Sequence, residues 1–110
     1  MSSGTEPSRC IAERRLLFSS KAAGARTPFA VRVYAPRELE AGDVGFVSSQ
    51  GSAECIVRLE GLPGVFEERA YGADLVQALQ HALDYVEPML RRFGKKYDVF
   101  FEDGEHYFDD

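Results

Sequence analysis

From Ala73 to Phe93 the apolar residues stop alternating and begin to recur every three to four positions, the period of an α-helix rather than a strand. Placed about 100° apart around an axis, Leu75, Val76, Ala78, Leu79, Ala82, Leu83, Tyr85, Val86, Met89, Leu90 and Phe93 share one half-circle. Gln77, Gln80, His81, Asp84, Glu87, Pro88, Arg91 and Arg92 fill the other. A stripe this wide suits a broad sheet better than the narrow seam of a coiled coil. Asp74 followed by Gln77 has the spacing of a capping box, and Arg91, Arg92, Gly94, Lys95 and Lys96 supply cations and a terminating glycine at the other end. Pro88 interrupts the pattern by removing a hydrogen bond to Asp84, but on the polar half it predicts a bend around the sheet, with a break at Glu87 as the alternative.

The helix needs a partner surface, and the segments around it supply strands. Ile11–Ser20 carries Leu16, Leu17 and Phe18 between turn-forming residues, and Lys21–Pro28 reads as a connection. Phe29, Val31, Val33 and Ala35 alternate with Ala30, Arg32 and Tyr34, the cleanest period-two run in the chain. Ala53, Cys55, Val57 and Leu59 alternate in the same way with Glu54, Ile56, Arg58 and Glu60. Val65–Ala70 predicts a short edge strand, since Glu67, Glu68 and Arg69 stand in succession. Tyr97–Glu102 forms another, and Asp103-Gly104 signals a two-residue type I′ turn before a short return from Glu105 to Phe108. The expected fold is α+β: an antiparallel sheet of four to five strands with one long amphipathic helix on one face, leaving the other face or an edge available. Residues 1–10 are expected to form a flexible tail, because Met1–Arg9 holds no apolar residue beyond the initiator, and 11–110 a single domain.

Charge and composition exclude more than they assign. With 13 basic and 18 acidic residues the net charge is −5, which disfavours nucleic acid as a partner. No apolar run is long enough to span a bilayer, and Met1–Arg9 lacks the apolar stretch of a secretory signal, so a cytoplasmic location is expected. In that reducing compartment Cys10 and Cys55 are expected as free thiols, Cys55 packing with Val57 and Leu59.

Candidate sites are few. Across the expected turn, Glu102 faces Glu105 and Phe101 faces His106, so two carboxylates and an imidazole make a weak metal or acid/base candidate, although a screened, solvated tip explains them. Six acids between residues 97 and 110 without a basic residue suggest either a docking surface for a basic partner or a solvated end. His81 lies on the polar helix half with no triad partner, and Ser48, Ser49 and Ser52 match no nucleophile or phosphate-loop motif. On the sheet face away from the helix, Arg32, Tyr34, Ile56 and Arg58 form the candidate partner-binding group. No cofactor is implied.

Tyr71-Gly72-Ala73-Asp74-Leu75-Val76-Gln77-Ala78-Leu79, preceded by Ala53–Gly61 with its central Cys55, resembles a family of small bacterial proteins of uncharacterised function. The resemblance spans most of residues 11–93. It implies a bacterial source and the strand-then-helix order, and it transfers no catalytic residue. The leading expectation is a protein-interaction module binding a partner or a second copy, by analogy an immunity protein or a secretion chaperone. The alternative is a small-ligand or metal-binding enzyme that uses the 36–52 loop as a lid and the Glu102, Glu105 and His106 group of the 102–106 hairpin as a metal or acid/base site.

Overall fold

Alternation sends Leu16, Phe29, Val31, Val33, Val57 and Leu59 to one side of a six-stranded antiparallel sheet, and the helical segment covers that side. The computed structural model describes residues 8–21, 24–39 and 52–108. The elements in chain order are β1 (Cys10–Ser20), β2 (Thr27–Tyr34), β3 (Arg37–Glu38), β4 (Ala53–Glu60), β5 (Phe66–Gly72), α1 (Leu75–Asp84), α2 (Val86–Phe93) and β6 (Tyr97–Phe101). β5 pairs β4 from Ala53 to Leu59, so β2 and the two-residue β3 share the other edge of β4. Across the sheet the order is therefore β5, β4, β2 with β3, β1, β6.

The α+β class is as expected, with two corrections in the connections. β3 lies inside the stretch read as a loop from Pro36, and the rest of that supposed lid, residues 40–51, falls outside the described residues, as do residues 1–7 of the tail. The turn after β6 is not a two-residue one: the Gly104 amide donates to the Phe101 carbonyl at 2.9 Å and the Phe101 amide to the Glu105 carbonyl at 2.8 Å. This is a three-residue loop, Glu102 to Gly104, in which Gly104 alone takes the left-handed conformation, at φ +96°. His106 consequently pairs with Phe100 rather than Phe101, and the expected return strand is reduced to that bridge.

The helix starts where the capping box placed it. The Gln77 amide donates to Asp74 Oδ1 at 2.8 Å, and Gln77 Oε1 accepts from the Ala73 amide at 2.6 Å. Pro88 divides the nineteen-residue span into α1 and α2 at Tyr85 rather than at Glu87. Tyr85 keeps right-handed helical angles, and the Met89 amide still reaches its carbonyl at 3.0 Å, so the chain kinks without leaving the helix. Gly72 sets the distance between sheet and helix: a Cβ there would lie 2.5 Å from the Ala78 amide nitrogen. The core beneath is aromatic at one end, where Phe93 stacks on Tyr97 at 4.7 Å and meets Phe18, Phe29 and Phe66.

The buried helix face is narrower than the apolar half-circle. Ala78, Ala82, Val86, Met89, Leu90 and Phe93 are buried, whereas Leu83 is 49% and Val76 65% exposed, and Leu75 and Tyr85 are exposed beside them.

Candidate functional site

The face away from the helices carries the even-numbered residues of β2 and β4, and Arg32 and Arg58 are direct register partners there. Two guanidiniums opposed across a ladder repel, so each must find a carboxylate. Arg32 donates to Glu13 at 3.0 Å and Glu60 at 3.2 Å, and Arg58 donates to Glu67 at 2.5 Å. Arg69 joins Glu67 at 3.2 Å to Glu54 at 2.9 Å, and Arg37 holds the second Glu54 oxygen at 3.1 Å. The result is a lattice of alternating sign running over β1, β2, β4, β5 and β3.

The four candidate interface residues are therefore brought together, but two of them are covered. Tyr34 is 9% and Ile56 6% exposed. The Tyr34 hydroxyl donates to Glu60 at 2.6 Å, and the Arg58 guanidinium lies 5.5 Å from its ring centroid. Burial and then the Glu60 carboxylate push the Tyr34 phenol above its ordinary value. Burial likewise raises the Glu67 carboxyl, but hydrogen bonds and charge from Arg58 and Arg69 outweigh it and hold the group below the usual range. Alternation placed these four residues on one face; it could not reveal that the Arg58 guanidinium and the Glu60 carboxylate engage Tyr34.

Glu102, Glu105 and His106 are not gathered. The His106 ring packs against Phe100 with centroids 4.9 Å apart, and Asp103 caps the turn by accepting from the Glu105 amide at 3.0 Å. Among the described residues no three His, Cys, Asp or Glu side chains form a group able to hold a metal ion. His81 lies at the surface with Nδ1 2.7 Å from the Tyr71 carbonyl. Cys10 and Cys55 are free thiols; burial raises the Cys55 pKa, and it donates to the Tyr34 carbonyl at 3.1 Å, as a packed rather than reactive group does.

The feature that pattern reading missed is the first half of β1. β6 pairs β1 only from Leu16 to Ser20. Cys10–Arg15 pair β2 on one side, with an irregularity between Cys10 and Ala12 that leaves Ile11 without a register partner, and have no strand on the other side among the described residues. Beside this open edge, on the helix side, lies a groove of about 370 Å³. Ala12, Val31 and Val33 form its floor, and Leu83 and Val86, at the helix kink, its wall. One end carries a clamp in which Tyr107 donates to Glu87 at 2.5 Å and accepts from Arg14 at 2.5 Å, with the phenol pushed up to about 12 by burial and the Glu87 carboxylate. A length argument contained this signal: a strand of five residues at 97–101 cannot cover a strand of eleven.

Fold and surface together define an α+β domain whose sheet has one face packed by kinked helices, one face locked by ion pairs, and one strand that, among the described residues, is interior along half its length and an edge along the other. The chain belongs to the family described as Domain of unknown function (DUF6968), which it matches over residues 12–107, from β1 to the segment returning along β6. Comparison with curated proteins and with solved structures returned no match. Among the described residues no helix is long and apolar enough to cross a membrane.

Proposed function

We propose that this protein is a protein-interaction module of the bacterial cytoplasm that receives an extended segment of a partner along the open half of β1. The observation that carries the reading is the coincidence of a strand edge, Cys10–Arg15, that no strand pairs among the described residues, with an apolar groove on one side of it. Strand addition draws affinity from main-chain hydrogen bonds on a free edge and specificity from pockets for alternate side chains. A segment laid in line with β6 would place every second side chain over Ala12, Val31 and Leu83, and the intervening ones beside Glu13 and Arg32. Arg32, Tyr34, Ile56 and Arg58 then form the stiff polar surround of the docked strand. Two copies pairing through this edge fit it less well. Setting Glu13 against the other copy's Arg15 also sets Ala12 against Leu16, whose edge β6 already occupies. An immunity protein or a secretion chaperone is the kind of protein this reading fits, by analogy of size and charge alone.

The test is affinity purification from the host with the wild-type chain and with Leu83→Glu and Ala12→Glu, substitutions at exposed groove positions expected to leave stability within about 0.5 kcal/mol. A partner recovered by the wild type and lost from both variants, each retaining its melting temperature, supports the reading. Capture that survives both, or capture of nothing by a clean monomer, overturns it.

A further inference from the structure

The open half of β1 is walled at one end. β6 leaves the β1 edge at Phe101, opposite Leu16, and the next residue, Glu102, enters the three-residue loop instead of continuing beside Arg15. Arg26 fixes that loop: it donates to the Gly104 carbonyl at 3.2 Å, and its guanidinium carbon lies 3.8 Å from the Phe100 ring centroid. The Arg14, Tyr107 and Glu87 clamp stands on the helix side of the same end. A segment laid along Cys10–Arg15 therefore cannot run straight on past Arg15; its chain begins there, ends there or turns off the sheet.

The main chain fixes which groups meet at that wall. The Tyr107 amide donates to the Val99 carbonyl at 2.9 Å and the Phe101 amide to the Glu105 carbonyl at 2.8 Å. Val99 and Phe101 thus face the returning segment, and Asp98 and Phe100 face Ser19 and Leu17 of β1. The same alternation along β1 turns the amides and carbonyls of Glu13 and Arg15 toward the open edge. In antiparallel pairing, the more stable mode, the first residue of a docked segment stands opposite Arg15 with its nitrogen at the Arg15 carbonyl. In parallel pairing a terminal carboxylate would lie there instead.

Charge separates the two. Both arginines at this end already hold a carboxylate: Arg14 meets Glu87 at 3.4 Å and Arg15 meets Glu13 at 3.3 Å. Glu102 shares a shallow depression with Glu13 and Arg15 on the face away from the helices, and no cation pairs with it among the described residues. Residues 1–7, 22–23, 40–51 and 109–110 contain no Lys, Arg or His. An incoming carboxylate is repelled by Glu102 and an incoming ammonium attracted.

Building on the reading of β1 as a docking edge, we propose that the occupant is the free N-terminus of an extended partner chain, its α-ammonium donating to the Arg15 carbonyl and the Glu102 carboxylate. The first and third side chains lie beside Glu13 and Arg32, and the fourth, apolar, enters the groove against Ala12 and Leu83. An α-amino group is largely protonated at neutral pH, and capture of a terminal amine is an established mode of peptide recognition.

Two display libraries of the same random heptamers, selected on the full chain, test the assignment. In one the heptamer carries a free N-terminus; in the other a flexible Gly-Ser leader precedes it. Enrichment confined to the free-ended library is expected, with an apolar fourth residue. N-acetylation of the best synthetic binder should weaken it about tenfold. Glu102→Gln should weaken the free peptide about fivefold and leave the acetylated one unchanged. Equal enrichment of the leader-bearing library, abolished by Leu83→Glu, overturns terminal capture and leaves strand docking standing. An acetylated peptide as tight as the free one does the same, as does full affinity for the free peptide in Glu102→Gln. Enrichment in neither library, or enrichment that Leu83→Glu does not reduce, overturns the docking reading and terminal capture with it.

Discussion

The two faces of the sheet solve the same burial problem by opposite means. On the helix side, apolar side chains from β1, β2, β4, β6, α1 and α2 close over one another, with Leu90 and Val57 fully buried. On the other side no helix is present among the described residues, and Tyr34 is engaged instead by the Glu60 carboxylate and the Arg58 guanidinium, within a set of charged groups that satisfy each other. The first solution is indifferent to salt and pH and sensitive to volume; the second is the reverse. The groove at the β1 edge, where docking is proposed, lies between them, with an apolar wall from one and charged groups of the other beside it.

The largest effect is expected on the packed face. Leu90→Ala removes a fully buried side chain from a well-filled site, costing about 3–5 kcal/mol. For a domain of this size that lowers the melting temperature by roughly 15–30 °C. A loss below about 1 kcal/mol would mean that the helices are not the principal cover of the sheet.

Glu54→Gln probes the lattice at its most buried point. Glu54 is 4% exposed and receives both Arg69 and Arg37, so the variant leaves two guanidiniums facing a neutral amide. Both arginines keep access to water, which limits the expected loss to about 1–3 kcal/mol, read by chemical denaturation. If Glu54→Gln proved as costly as Leu90→Ala, the contrast between the faces would fail.

The pH dependence separates them further. Burial raises the Glu67 carboxyl, but Arg58 and Arg69 hold it below its ordinary value of 4.5. A carboxyl with a depressed folded pKa contributes stability that is present above the unfolded value and lost as pH falls through the folded one. Glu67→Gln should therefore be less stable than the wild type at pH 7 and indistinguishable from it well below pH 4.5, with a shallower acid limb between. Leu90→Ala should shift the whole profile down without changing its shape. Parallel profiles for Glu67→Gln and wild type would remove Glu67 from the lattice.

How much of this was legible in the sequence follows from the range of each interaction. The helix cap at Asp74 and Gln77, the alternation in β2 and β4 and the edge character of β5 are set by neighbours in the chain, so pattern alone locates them. The pairing of β1 with β6 joins distant segments, and its incomplete overlap creates the open edge and the groove. The hairpin at 102–106 failed for a subtler reason: Asp103-Gly104 fits both a two-residue and a three-residue loop, and the choice between them moved His106 by one partner.

The smallest expected effect concerns the kink where groove and packed face meet. Pro88→Ala would restore an amide opposite the Asp84 carbonyl, a gain of about 0.5–1.5 kcal/mol for an exposed hydrogen bond. It would also release the unfolded chain from proline's constraint, at a cost of about 0.4–1 kcal/mol. These terms nearly cancel, so the melting temperature should move by only a few degrees, roughly the equivalent of 0.5 kcal/mol. Hydrogen exchange distinguishes cancellation from inertness, because the new amide at position 88 should gain protection if α1 and α2 merge. A loss well beyond 1 kcal/mol would instead mean that the bend at Tyr85 is required to seat Val86 and Leu90 on the sheet together. The exposed wall of the groove, Leu83, would then be a consequence of how the packed face closes.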